Sequence, residues 1–277
     1  MDVKTEQALR CGAVAWLNWR ANHPELLDLS NAQLMRINLR GADLHHTNLR
    51  RANLTNATLV AANLIEANLS NGILDGANLV DANLAKIEII DGRAVGADFR
   101  RANLTEANLL ASNFTDVDLR DADLSYMNAI ATNFTSANLC GADLSQAVLH
   151  RSTLCYTNLS QTNLASADLS QAILFEAELG AAHLYLTNFT KARLTRSHLV
   201  GIYGVRANFN GADLTDADLS WANLSKASFV GATLRNTNFR GANLSDADFS
   251  DTDLSGVNLI GVNLTHTILN HSIIPVI

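Results

Sequence analysis

The chain has 277 residues and a net charge of −7, with 48% hydrophobic and 17% charged residues. Although nearly half its residues are apolar, no run approaches the ~20 consecutive apolar residues that cross a bilayer. No basic patch is interleaved with aromatics, so neither membrane insertion nor direct nucleic-acid binding is expected. Three cysteines form an odd set, and Cys140 and Cys155 fall on different outward faces of the chain's repeating pattern. Both points argue against pairing and for a reducing compartment. The N-terminus lacks a basic stretch followed by an apolar core, so no signal peptide is expected and the cytoplasm is the default location.

Residues 1–26 read as a capping helix and linker. Leu9, Ala13, Trp16 and Leu17 recur at helical spacing, Arg10 and Arg20 fall on the solvent side, and Asp2 or Thr5 can cap the start. Asn22-His23-Pro24 is a stop signal. Such a helix would lie across the first coil of the repeat region and shield its core and open backbone edge.

From Leu29 the chain keeps a five-residue beat, clearest in Ala207–Phe249. A small residue is followed by Asn or Asp, then by Leu or Phe, then by two freely varying residues. Steps of five from Leu29 to Ile274 give fifty central positions, of which thirty-seven are Leu and eight Phe. A period of five fits neither a helix, at about 3.6, nor a strand, at about 2. "Small, polar, large" alternates in, out, in as a short extended segment does, and the next two residues must turn the chain. Four segments with four corners close a square coil of twenty residues, and coils stack in parallel.

This beat resembles the pentapeptide-repeat family, whose signature is A(D/N)LXX. The resemblance implies an all-β solenoid, a right-handed quadrilateral parallel β-helix of about 12 coils with a short N-terminal α-helix. At ~4.8 Å per coil it would be roughly 60 Å long. The segment GAVAWLNWRANHPELLDLSNAQL is also similar to the lead-in of many cyanobacterial pentapeptide-repeat proteins. The β-helix is expected over 27–274, with a C-terminal tail at 275–277.

Within that frame Met127/Ala129 and Ile202/Gly204 invert the order of large and small. Ile87/Ile89 overfills a face and Gly92/Ala94 underfills the next, so bulges or altered turns are expected near 85–96 and 200–205. Phe189, Phe209, Phe229 and Phe249 are spaced by twenty, which predicts a column of inward rings in the C-terminal half, and Phe114 and Phe134 share that spacing. The chain ends in NHSIIPVI, which either folds over the last coil or meets a second copy, giving a homodimer through the C-terminal end.

No catalytic constellation, cofactor site or metal cluster emerges, and an enzyme is not expected. His45 and His46 are adjacent, with no further ligand expected twenty residues away. Asp98, Arg100, Arg101, Asp118, Arg120 and Asp121 read as an exposed ion-pair network. The candidate binding surface is outward and apolar: His183, Tyr185, Leu186, Tyr203 and Val205 on one face, Ile90, Leu110 and Ile130 on another, and Cys155 with Tyr156 and Phe175 on a third. These features suit a non-enzymatic scaffold whose walls bind an unidentified protein. The alternative is a ligand of DNA gyrase that imitates duplex DNA, as quinolone-resistance members of the family do. Asp213, Asp216, Asp218, Asp246, Asp248, Asp251 and Asp253 supply acid for it, but Arg206, Lys226, Arg235 and Arg240 are mixed among them.

Overall fold

A computed structural model describes residues 8, 9, 11, 13–23 and 27–273, in two compact units divided after Asn138. The expected caps Asp2 and Thr5, Arg10, Pro24 and the tail 275–277 lie outside the described residues.

Each pentapeptide offers one residue that bridges in parallel to the coils above and below, and one turn. In the first unit Asp43 bridges Asn63, which bridges Asn83, which bridges Asn103. In the second Asn163 bridges His183, His183 bridges Tyr203, and Tyr203 bridges Asn223. The offset is twenty throughout, so each unit is a parallel β-helix with four bridging positions per coil. The bridges are isolated residues and do not extend into strands, because a two-residue corner interrupts every pentapeptide.

Three backbone bonds join each pentapeptide to its neighbours in the stack. Leu164 N–H donates to His183 C=O at 2.8 Å, Ser166 N–H to Tyr185 C=O at 2.8 Å, and His183 N–H to Thr162 C=O at 2.9 Å. A fourth closes the corner, as where Ala167 N–H donates to Leu164 C=O at 3.0 Å. The second corner residue has positive φ, as in a type II turn. It is Gly201 at φ 66°, Ser166 at 58° and Asn236 at 57°. Since every corner needs this conformation, most are built from non-glycine residues at a cost of order 1 kcal/mol each.

The large residue of each repeat faces inward. Leu144, Leu164 and Leu184 are all fully buried, as are the small residues Ala167 and Ala182. Burying one such leucine contributes about 1.5–3 kcal/mol. Asn or Asp at the outward place shapes the corner. Its Oδ1 accepts the N–H two residues on, from Ser30 to Asp28 at 2.9 Å and from Thr190 to Asn188 at 3.0 Å. Its amide then donates one coil back, Asn188 to Asp168 at 2.9 Å and Asn258 to Asn238 at 2.9 Å. These are local turn and ladder bonds.

The expected bulges do not form. Bridges and corners keep step through 85–96 and 200–205, and Ile87, Ile89, Met127, Ala129 and Ile202 are all buried. In the inverted pairs the volume is conserved, which cores tolerate. At Gly92 the underfilled space is taken by Ile89, whose Cγ2 lies where a Cβ would stand, while the Ser112 hydroxyl contacts Ile89 C=O and accepts the Gly92 N–H at 3.2 Å.

The ring column forms. Phe189, Phe209, Phe229 and Phe249 stack at 5.0, 4.9 and 4.7 Å with planes within 5° of parallel. Phe114 and Phe134 are 5.7 Å apart and tilted. Phe239 meets Phe229 and Phe249 edge-on across the core.

Helix α1 covers Ala13–Ala21. Trp16 is fully buried and its indole N–H donates to Asp43 C=O at 2.9 Å, which seats the helix on the first unit. Two expectations for this helix are corrected. Leu17 is exposed, so the buried stripe runs through Leu9, Trp16 and Arg20. Arg20 is itself buried, because its guanidinium donates to the carbonyls of His23 at 2.7 Å and His45 at 3.3 Å. Among the described residues no helix is long and apolar enough to cross a membrane.

Candidate protein-binding wall

In the second unit the outward places form four walls. The first runs through Asn163, His183 and Tyr203, the second through Asn188 and Asn208, the third through Ile173 and Arg193, and the fourth through Glu178, His198 and Asp218. The corner at Val200–Gly201 leads from the fourth wall back to the first.

His183 and Tyr203 face outward one above the other, with ring centroids 6.0 Å apart. At the corner beyond them Leu186 N–H donates to Val205 C=O at 3.2 Å. Tyr185, Leu186 and Tyr203 are exposed, while Val205 is half-buried. The predicted first patch is therefore one continuous surface. Tyr156 and Phe175 meet edge-on at 5.6 Å, and Arg196 lies over the Phe175 ring at 5.6 Å. They stand on the corner between the third and fourth walls, diagonally across the coil from Tyr185, Leu186 and Val205 on the corner between the first and second.

The remaining patch differs from expectation. Ile90, Leu110 and Ile130 align, since Asp91 N–H donates to Leu110 C=O and Ala111 N–H to Ile130 C=O, each at 3.0 Å. They occupy the first corner place and are half-buried, so they offer less surface than a wall position would.

Sequence reasoning missed Trp221, 64% exposed, and Val200, 40% exposed. Both belong to the corner between the fourth and first walls. The missed signal was residue type. Trp221 has φ 60°, Tyr156 58° and Leu186 57°, and bulky side chains are disfavoured in that conformation. Among the described residues, every exposed aromatic of the second unit lies on the first and fourth walls and their bordering corners. The second and third walls carry none.

A shallow hollow of about 320 Å³ on the fourth wall is lined by Glu176, Arg196, His198 and Asp216. Arg196 pairs with Glu176 at 2.8 Å and His198 with Glu178 at 2.7 Å. Asp216 and Asp218 receive neutral donors, from Asn236 at 2.9 Å, Asn238 at 3.0 Å and the Ser220 N–H at 2.8 Å. On the third wall, burial pushes the Asp213 carboxyl up, but hydrogen bonds from Thr215 and Thr195, with Arg193 nearby, more than offset it and leave it below its ordinary value.

In the first unit the ion-pair network is present. Arg100 and Arg120 hold Asp98 and Asp118 at 2.7 and 2.6 Å, and Arg101 turns to Asp81 at 2.7 Å. One expectation fails: Glu66 stands twenty residues from His46 and meets its Nδ1 at 3.1 Å. This is a two-member contact between stacked corners. Among the described residues no three His, Cys, Asp or Glu side chains gather to hold a metal ion. Cys11, Cys140 and Cys155 form no disulfide.

A model described as pentapeptide repeats (8 copies) matches residues 28–56, 62–86, 95–125 and 132–171. A pentapeptide repeat region model matches residues 205–275. The chain belongs to the pentapeptide repeat family. No curated protein matches it. Among solved pentapeptide repeat structures it is similar to HetL, involved in heterocyst differentiation regulation in the cyanobacterium Nostoc sp. strain PCC 7120. That likeness has 26% identity over 95% of this chain and 97% of that one, with a TM-score of 0.34. The plasmid-mediated fluoroquinolone resistance protein QnrB1, in a trypsin-treated variant form, is 19% identical over 71% and 86% of the two chains, with a TM-score of 0.39. Rfr23 from the cyanobacterium Cyanothece 51142 is 21% identical over 61% and 91%, with a TM-score of 0.26.

Proposed function

We propose that this pentapeptide repeat protein is a non-enzymatic scaffold that binds another protein through the first and fourth walls of its second unit. The observation that carries this is the segregation of exposed aromatics. Tyr203 stands on the first wall and Tyr156, Tyr185 and Trp221 on the three corners that bound the first and fourth walls, at places that contribute nothing to the core. Exposed aromatic surface of this kind is enriched at protein interfaces. The same reading takes the winding as right-handed and four-sided, about twelve coils long, with α1 as its cap and the cytoplasm as its location.

A photoreactive amino acid placed at position 203 or 221 is expected to form adducts with a partner in cell extract. The same group at position 188 or 193, on the other walls, is expected to form none. Adducts from all four positions, or only from 188 and 193, would refute the assignment.

A second contact is favoured by the last coil, where Ile260, Leu264, Ile268 and Ile273 are exposed. We propose that this end meets a second copy, to be read as a dimer mass in solution that Leu264→Asp converts to a monomer. A gyrase ligand imitating DNA is disfavoured, because the carboxylates of Asp213, Asp218 and Asp248 stand on three different walls. Potent inhibition of gyrase supercoiling by the purified protein would reverse that ranking.

A further inference from the structure

The corner between the second and third walls of the second unit carries no tyrosine, tryptophan or phenylalanine. There the Ser170 hydroxyl lies 2.8 Å from His150 Nδ1, one coil away. We propose that Ser170 is a covalent modification site, acylated by small neutral acyl donors with a good leaving group, an activated ester or a thioester, with His150 as the base that takes its proton.

In this fold a hydroxyl at the first corner place is ordinarily used by the turn. It donates to Oδ1 of the wall residue two before it, Thr190 to Asn188 at 2.6 Å, Thr215 to Asp213 at 2.7 Å and Ser250 to Asp248 at 2.6 Å. At Ser170 the corresponding oxygen, Asp168 Oδ1, takes the backbone N–H at 3.0 Å and the Asn188 amide at 2.9 Å, while the hydroxyl meets the imidazole instead. Asn210 and Val230 occupy the same corner place in later coils, so the winding requires neither His150 nor Ser170.

A hydroxyl in hydrogen-bond contact with an imidazole is the arrangement that activates serine, because the ring accepts the proton as the oxygen attacks. Both side chains are half-buried, so they are held in place and still open to a small reagent. The ladder fixes their backbones: Arg151 N–H donates to Ser170 C=O at 3.0 Å and Gln171 N–H to Thr190 C=O at 2.9 Å. With Nδ1 unprotonated the hydroxyl donates to it, and Oγ attacks the acyl carbon. The bond from that carbon to the leaving group breaks, and the hydroxyl proton passes to Nδ1 and on to solvent. The Asp168 carboxylate, bonded to the Ser170 N–H, disfavours an anionic donor by charge, which leaves neutral esters and small thioesters as the fitting class. The outcome is one acyl group taken up per chain.

The test uses the intact protein and p-nitrophenyl acetate, followed by nitrophenolate release and by mass mapping of the acetylated residues. Ser170 is expected to take the acetyl group, and to do so faster than Ser145 and Ser160, first-corner serines that lie twenty residues from no histidine. In His150→Gln, which keeps a polar side chain but removes the base, labelling of Ser170 is expected to slow roughly a hundredfold. Ser170→Ala is expected to lose the label at that peptide. Both variants are expected to melt close to the wild type, since the same place already takes asparagine and valine. Undiminished labelling of Ser170 in His150→Gln would overturn the proposal, as would labelling no faster than at Ser145 and Ser160. Acetyl groups found on lysines or on His150 with none on Ser170 would reduce the contact to an ordinary surface hydrogen bond and overturn it equally.

Discussion

At the residue scale, burial separates what builds the coil from what is free to do something else. Phe209 has a parallel ring on each side and no exposure. Phe209→Ala should cost about 3–5 kcal/mol in denaturant unfolding, with Phe209→Leu much milder. Buried hydroxyls at the small place are satisfied by carbonyls, as where Thr187 donates to Leu164 at 2.8 Å and Ser197 to Leu194 at 2.6 Å. Ser70 Oγ is buried without a hydrogen-bond partner, so Ser70→Ala should raise stability by up to about 1 kcal/mol. Asp118 gives the pH dependence. Burial pushes its carboxyl up, but hydrogen bonds and charge from Arg120, with Arg100 behind, leave it below its ordinary value. A depressed carboxyl stabilises the fold above its unfolded value and loses that contribution as pH falls through the folded one. Asp118→Asn should therefore lower stability slightly at neutral pH, by under about 1 kcal/mol, and flatten the acid limb of the stability curve. The inward residues were legible in the sequence because their period is rigid. Arg20 was not, since the carbonyls of His23 and His45 that accept its charge are brought together only by folding.

At the element scale, the corner was the hardest part to read. The five-residue beat revealed that a turn must follow each large residue, but not that its second place has positive φ. That conformation makes Tyr156, Leu186 and Trp221 costly choices and so informative ones. Trp221→Gly should leave the melting temperature nearly unchanged, since glycine suits φ 60° better than tryptophan does. Ile90, Leu110 and Ile130 were read as wall residues for the same reason and prove to be half-covered corner residues. Packing within a face depends on total volume more than on order. Met127→Ala should cost about 2–5 kcal/mol alone, and Met127→Ala with Ala129→Leu should recover most of it, because the second change restores the usual size order. Helix α1 was legible as an apolar stripe, although its bond from Trp16 to Asp43 depends on a carbonyl that only the coil presents.

At the scale of the whole molecule, a repeat with a strict inward grammar leaves outward and corner residues to vary. Family membership was readable from the beat alone. The outward aromatic pairs were only partly so, because Tyr156 meets Phe175, and His183 meets Tyr203, through the twenty-residue stack and not through nearness in the chain. The central claim, that one side of the second unit binds a partner while the other does not, is tested by two matched variants. One carries Tyr156→Ser, Tyr185→Ser, Tyr203→Ser and Trp221→Gly; the other carries Val148→Ser, Ile173→Ser, Arg193→Ser and Val230→Ser on the remaining walls and corners. Affinity recovery, without cross-linking, of the partner identified through the adducts at 203 and 221 should be lost in the first variant and kept in the second, with both melting close to the wild type. Equal recovery from both, or loss confined to the second, would contradict the account.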